Sequence, residues 1–424
     1  MPDRRPLSAS PRWVFTLLFL LYMFDYIDRL VIVSLFPFLR SDWGISDAQC
    51  GLLVSAVYWS ILVFTLPVSV LIDRWSRTRC IGLMAVLWSA ATLACAFARN
   101  FSQLFAARVA IGVGEAGYAP GGTAMLAALF PKARRARILG LWNASIPLGS
   151  ALGIVLGGWI AEHWGWRHAF GLVALPGLVV AVLCFFLPDY RTIELLQPAA
   201  GREGGAPAPM GWRDIRGHFL SNRTLAFNNL AFAANTFATT ALMTWLPSYL
   251  QRLEGISMSR AGTKGGVVML MAVVGAPLGG WLTDRWLRTR PNARLLFPAL
   301  SSAATALLLT TAFGFLRGPL QYALLLGAGI SAVAFVPASV AVTQDVVHPG
   351  LRAVSLSLCV IVQHVLGSAL GPPVVGALSD RLGLEAAMLA LPLFTLLAGV
   401  LYGVGAVFHS GDSTRVAHLE VLGR

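Results

Sequence analysis

The chain has 424 residues, 57% of them hydrophobic and only 12% charged, about half the charged share of an ordinary soluble domain, which is near 25%. Its mean hydropathy is +0.71, and the apolar residues gather into runs of roughly 20 or more, each long enough to cross a ~30 Å hydrocarbon core as a helix. This composition excludes a soluble enzyme, and the unbroken runs exclude an outer-membrane barrel, whose ~10-residue strands alternate polar and apolar side chains.

The net charge of +13 comes from 32 basic against 19 acidic residues, and every basic residue except Lys132 and Lys264 is arginine. In a soluble chain such an excess would point to nucleic acid. Between apolar spans it reads as membrane topology, and no nucleic-acid partner is expected. Cys50, Cys80, Cys95, Cys184 and Cys359 are scattered without C-x-x-C spacing, so neither a disulfide framework nor a metal site is implied. They are expected as small core residues.

In chain order, the first apolar run follows a short basic segment and lacks a small-residue cleavage site, which predicts a first membrane helix rather than a removed signal. Twelve spans follow, near 12–38, 48–72, 79–99, 102–130, 134–163, 166–188, 223–252, 258–287, 291–314, 317–347, 350–381 and 384–408. Helix 1 carries Asp25, Tyr26, Asp28 and Arg29 in mid-span. A charge there costs roughly 2.5–3.5 kcal/mol on insertion scales, so the group needs a compensating purpose. Asp25 and Arg29 are i,i+4 and can pair; Asp28 lies about 100° round the helix from Arg29, free to meet another helix. Helix 4 carries Arg108 and Glu115, two turns apart on one face, with Gly112 and Gly114 thinning it and Pro120 able to break its ladder.

The interruption over 189–222, with Gly201, Gly204, Gly205, Pro207 and Pro209, predicts a cytoplasmic linker between a first half, 1–188, and a second, 223–424. Its end, Trp212 to Leu220, reads either as an amphipathic segment on the inner leaflet or as plain solvated linker. Helix 7 offers Asn228, Asn229, Asn235, Thr236, Thr239, Thr240, Thr244 and Trp245, and helix 11 offers Gln363 and His364, but neither has a mid-span carboxylate or Arg. Basic residues crowd one set of connections: Arg4, Arg5 and Arg12; Arg74, Arg77 and Arg79; Lys132, Arg134, Arg135 and Arg137; Arg285, Arg288, Arg290 and Arg294. The positive-inside rule therefore predicts both termini in the cytoplasm.

Two motifs repeat about half a chain apart: DRWSRTR at 73–79 as DRWLRTR at 284–290, and LGSALG at 148–153 again at 366–371. Their common spacing implies two duplicated six-helix halves in parallel orientation. The chain thus resembles the major facilitator superfamily, which implies an all-α membrane protein with twelve transmembrane helices in two pseudo-symmetric halves. Both DRW loops resemble that superfamily's G-x-x-x-D-R-x-x-R loop, although Ser69 and Ser76 replace glycines in the first. The resemblance implies a cytoplasmic gating latch of Asp73, Arg74, Arg77, Asp284 and Arg285; a purely topogenic loop is the competing reading. In the superfamily's fold helices 1 and 4 line a central cavity, so Asp28, Arg29, Arg108 and Glu115 are expected in one buried network, against a static cluster that only fixes packing.

YIDR at 26–29, GVGEAGY at 112–118, IPLGSALG at 146–153 and HVLGSALGPPVVGALSDRLG at 364–383 resemble the Spinster family of lipid carriers. That likeness implies proton-coupled transport of sphingosine-1-phosphate or lysophospholipids, with Asp28 and Arg29 as a helix 1 acid–base pair and Arg108 and Glu115 as a helix 4 pair. Ser368 departs from the Asp usual in animal members. Anion–cation symporters share the helix 1 and helix 4 charges but follow helix 4 with Trp-Phe-Pro, where this chain has Leu129-Phe130-Pro131.

The resulting expectation is a monomeric alternating-access carrier in a bacterial inner membrane, needing no cofactor and performing no enzymatic step, for an amphipathic lipid-like substrate. Asp28, Glu115 and Asp25 are the expected proton-coupling groups; Arg29, Arg108, His364, Asn235, Thr239 and Trp245 the substrate or charge network. A proton-coupled organic-anion symporter and a membrane sensor that binds without transporting are the alternatives.

Overall fold

The computed structural model describes residues 10–74, 76–187, 219, 221–348 and 351–422, and every regular element among them is helical. The linker expected over 189–222 falls almost wholly outside these residues. Ser10 caps the first helix, α1 (Pro11–Leu30), its hydroxyl accepting from the Trp13 amide at 3.2 Å; Pro at the first helical position has no N–H to leave unpaired. After α1 the ladder tightens into a 3₁₀ turn, Val31–Leu35, and resumes as α2 (Phe36–Trp43). Then come α3 (Asp47–Arg74), α4 (Arg77–Cys95), α5 (Phe101–Glu115), α6 (Tyr118–Leu129), α7 (Lys132–Asn143), α8 (Ser145–Trp164) and α9 (Trp166–Cys184). The second half contains α10 (Arg223–Glu254), α11 (Met258–Leu270), α12 (Ala272–Leu287), α13 (Ala293–Gly314), α14 (Pro319–Ala334), α15 (Val336–Asp345), α16 (Arg352–Gln363), α17 (Gly371–Leu382), α18 (Leu384–Leu389) and α19 (Leu391–Leu422). A π-helical turn, His364–Ser368, links α16 to α17. The last helix runs beyond the end near 408 expected from hydropathy.

Among the described residues nine helices are long and apolar enough to cross a membrane. The first, fourth and seventh expected spans are not among them, because α1 carries Arg12, Asp25, Asp28 and Arg29, α5 ends after 15 residues at Glu115, and the Asn and Thr residues of α10 lower its hydropathy. Those polar residues need tertiary partners in place of water.

The residues group by contact into two units. One runs to Ile45, resumes at Leu52 and takes in Gly255–Gly266; the other comprises Ser46–Gly51, the helix ending at Glu254, and the chain from Val267. The repeated LGSALG motif does the same work in each. In the first unit, a Cβ on Gly153 would stand 2.7 Å from the Ile27 carbonyl oxygen, and Gly149 meets that of Met23 more closely still, so α8 packs on α1 backbone to backbone. In the second, a Cβ on Gly367 or Gly371 would lie 2.8 Å from the Ala233 or 2.6 Å from the Phe237 carbonyl oxygen of α10. Such close approach is how helices associate where lipid supplies no hydrophobic drive. The likeness extends to the turns after α8 and α17, where Gly165 (φ 88°, ψ 154°) and Gly383 (φ 86°, ψ 155°) take a backbone conformation essentially reserved for glycine. The second unit's core includes Phe232, Leu295, Phe335, Val342 and Tyr402.

Candidate functional site

The last turn of α1 places Asp25 and Arg29 one above the other, and Arg29 Nη2 donates to Asp25 Oδ2 at 3.0 Å. The same nitrogen lies 2.7 Å from Glu115 Oε2 at the end of α5. One guanidinium nitrogen thus serves two carboxylates on two helices. Asp25 and Glu115 are 1% and 4% exposed, Arg29 is 7% exposed, and its guanidinium carbon stands 4.6 Å from the ring centre of Tyr26 and 5.6 Å from that of Tyr58. These distances suit cation–π contact.

Arg108, wholly buried, makes no ion pair to Asp28. Its Nε donates to the Leu53 carbonyl of α3 at 3.0 Å, Nη1 to that of Asp28 at 3.1 Å and Nη2 to that of Arg29 at 2.9 Å. The two α1 acceptors stand where α-helix gives way to 3₁₀, which is where a ladder leaves carbonyls for other donors. Gly112 and Gly114 allow the approach: a Cβ on Gly112 would lie 2.6 Å from the Val57 carbonyl oxygen, and one on Gly114 2.7 Å from the Trp88 nitrogen. Helix α5 stops at Glu115, and Pro120 has no N–H for the Ala116 carbonyl. Asp28 points round α1 from Arg29, as the helical angle predicts. It is 0% exposed with neither carboxylate oxygen in a hydrogen bond among the described residues. A Cβ on Gly177 of α9 would lie 3.8 Å from its Oδ2 and 3.3 Å from the Ser89 hydroxyl of α4.

The seventh-span helix of the second unit carries amide and hydroxyl groups in mid-span instead. Asn235 donates to the Ser302 hydroxyl at 2.8 Å, and Thr239 approaches the Ala332 carbonyl at 3.4 Å. Trp245 is fully enclosed, its Nε1 donating to the Pro372 carbonyl at 2.9 Å. His364, half-buried, opens the π-helical turn.

Residues 18–372 match the Major Facilitator Superfamily. The chain belongs to that superfamily. It is 27% identical over 401 residues to protein spinster of Drosophila melanogaster, covering 90% of this chain but 64% of that protein. It is 27% identical to a sphingosine-1-phosphate transporter of Xenopus tropicalis, covering 93% of this chain and 82% of the relative. A gallate transporter of Pseudomonas putida is 31% identical over 67% of this chain and 68% of its own. The crystal structure of a bacterial homologue of the human lysosomal transporter Spinster, inward-facing and unoccupied, superposes with a TM-score of 0.80 at 22% identity, over 97% of this chain and 99% of that one. This superfamily member is a multi-pass membrane transporter with the all-helical, twelve-span, twofold-repeated fold anticipated above.

Not all the residues read from the superfamily's motifs come together. Arg29 joins Asp25 and Glu115, while Arg108 serves backbone and Asp28 stands apart. The expected network of Asp28, Arg29, Arg108 and Glu115 is therefore one buried neighbourhood with three separate bonding roles. The side chains of Asp73, Arg74 and Arg77 lie outside the described residues. Asp284 and Arg285 are exposed in the last turn of α12, in no ion pair among the described residues. A polar cluster of the second unit went unread in sequence. Asp47, 2% exposed at the start of α3, accepts both Arg252 guanidinium nitrogens at 2.8 and 2.7 Å and the Ser379 hydroxyl at 2.6 Å. Asp380 accepts the Asp47 and Ala48 amides at 2.8 and 2.9 Å, capping α3 from a helix more than 300 residues away in sequence. The Ser-Asp pair at 379–380 was the only available signal, and it carried no partner's address.

Proposed function

We propose that this superfamily member is a proton-coupled, alternating-access carrier of a lipid-like amphipathic substrate. The carrying observation is the single Arg29 nitrogen shared by Asp25 and Glu115 from two helices. A carboxylate's proton affinity depends on its distance from a neighbouring guanidinium, so any movement of α1 against α5 changes how readily Glu115 and Asp25 hold a proton. Proton occupancy and helix position are then linked in both directions. The ionic groups of the first unit suit the polar head of an amphipathic substrate. The Spinster-type relatives support that class.

The gallate relative supports a second reading, a proton-coupled symporter of organic anions. The basic loops support an inner-membrane protein with both termini cytoplasmic, and the DRW loops a latch on that face. Purified carrier in proteoliposomes under an imposed pH gradient tests the main reading. Wild type should move a lysophospholipid with a rate that follows the gradient, and Glu115→Gln should transport with a flattened pH profile. Unchanged pH dependence in the variant removes the coupling claim, and transport of gallate or a hexuronate without any lysolipid movement favours the second reading.

A further inference from the structure

The buried cluster has more carboxylates than guanidiniums. Asp25 and Glu115 flank Arg29, Asp28 and Arg108 share the same buried neighbourhood, and the other titratable groups around them are Tyr22, Tyr26, Tyr58, Tyr118 and Cys95, all neutral near pH 7 by their ordinary values. With every carboxylate ionised the cluster carries one negative charge in excess, in surroundings where an uncompensated charge is costly. Neither guanidinium offers its terminal fork to an anion: Arg108 is engaged by three backbone carbonyls and Arg29 Nη2 already bridges two carboxylates. The unmet atoms are mainly acceptors. Asp25 Oδ1, Glu115 Oε1 and both Asp28 oxygens are buried without a hydrogen bond; the one unmet guanidinium donor is Arg29 Nε.

We propose that the cluster holds one exchangeable positive charge, a proton in the unloaded carrier and the ammonium of the substrate's headgroup in the loaded one. This rests on the amphipathic-substrate reading above and specifies its headgroup. An alkylammonium brings three N–H donors for the unmet carboxylate oxygens, and a phosphate or hydroxyl beside it accepts from Arg29 Nε. The partly exposed rings of Tyr26 and Tyr58 beneath Arg29 offer π faces along the approach. A purely anionic substrate has nothing to give the excess carboxylate. Because one charge balances the cluster, proton and ammonium exclude each other, and the coupling is exchange: the amine enters with its three protons and the carboxyl proton leaves to water.

The test uses the full-length carrier in detergent, lightly buffered with a pH indicator. Lysophosphatidylethanolamine should bind at least tenfold more tightly than lysophosphatidic acid of the same chain length and release close to one proton per carrier at saturation. Glu115→Gln, which removes the excess charge, should lose both the proton release and the tenfold preference while keeping its melting temperature within a few degrees; if that variant does not fold, Asp28→Asn reads the same quantity. Equal affinity for the two lipids, or amine binding without proton release, overturns the proposal while leaving a lipid carrier in place. Binding of neither lipid, with binding of gallate or a hexuronate, removes instead the amphipathic-substrate reading beneath it.

Discussion

Arg108 shows how a charged side chain can act in a membrane helix without an ionic partner. Its planar fork reaches carbonyls on two different helices at once, Leu53 of α3 and Asp28 and Arg29 of α1. A lysine keeps the charge but presents its donors from one nitrogen and cannot span both. Arg108→Lys should therefore destabilise by about 3 kcal/mol, since buried carbonyls left unmet cost roughly 1–3 kcal/mol each. A melting temperature within about 1 °C of wild type in detergent would count against this clamp. Sequence spacing disclosed the Asp25–Arg29 pair, because i,i+4 neighbours on a helix meet whatever surrounds them. It could not disclose the role of Arg108, because the carbonyls it meets are available only where α1 tightens to 3₁₀, and nothing in Val31–Leu35 announces that change.

At the scale of the element, the repeated glycines are the most informative feature. Gly153 and Gly371 occupy matching places in the two halves, and each presses on the backbone of the first helix of its own half. A side chain there must separate the helices, so Gly153→Leu and Gly371→Leu should each cost about 1–3 kcal/mol or more, the range for overpacking a well-filled interface. Thermal unfolding of the two variants should show similar losses; a tolerated leucine at either position would mean the close packing is not maintained in the membrane. These contacts were legible as a small-residue repeat, although the partner helix was not. The capping of α3 by Asp380 was not legible at all, because a cap supplied from elsewhere in the chain has no local spacing.

For the molecule as a whole, the duplicated halves have diverged in chemistry while keeping their packing. The first sets charge in the middle of its first and fourth spans; the second places Asn, Ser, Thr and Tyr groups within its spans, as with Asn235 on Ser302 and Ser339 on Tyr402 at 2.7 Å. The proposed latch belongs to this scale. Asp284 is exposed, so Asp284→Asn should alter stability by no more than about 0.5 kcal/mol, as surface substitutions usually do, yet change the transport rate in proteoliposomes severalfold. A wild-type rate in that variant would reduce the loop to a topological signal.

Sequence alone determined that the chain crosses a membrane, that it is built from a duplicated unit, and that helices 1 and 4 carry charges needing partners. Each follows from composition or from spacing along one helix, and hydrocarbon leaves a polar group few alternatives. Tertiary structure decided which charge meets which. That choice depends on the rotational phase of α1 against α5 and on where the backbone ladder of α1 breaks, so Arg29 gained two carboxylates, Arg108 gained three carbonyls, and Asp28 was turned toward Gly177 of α9 and Ser89 of α4.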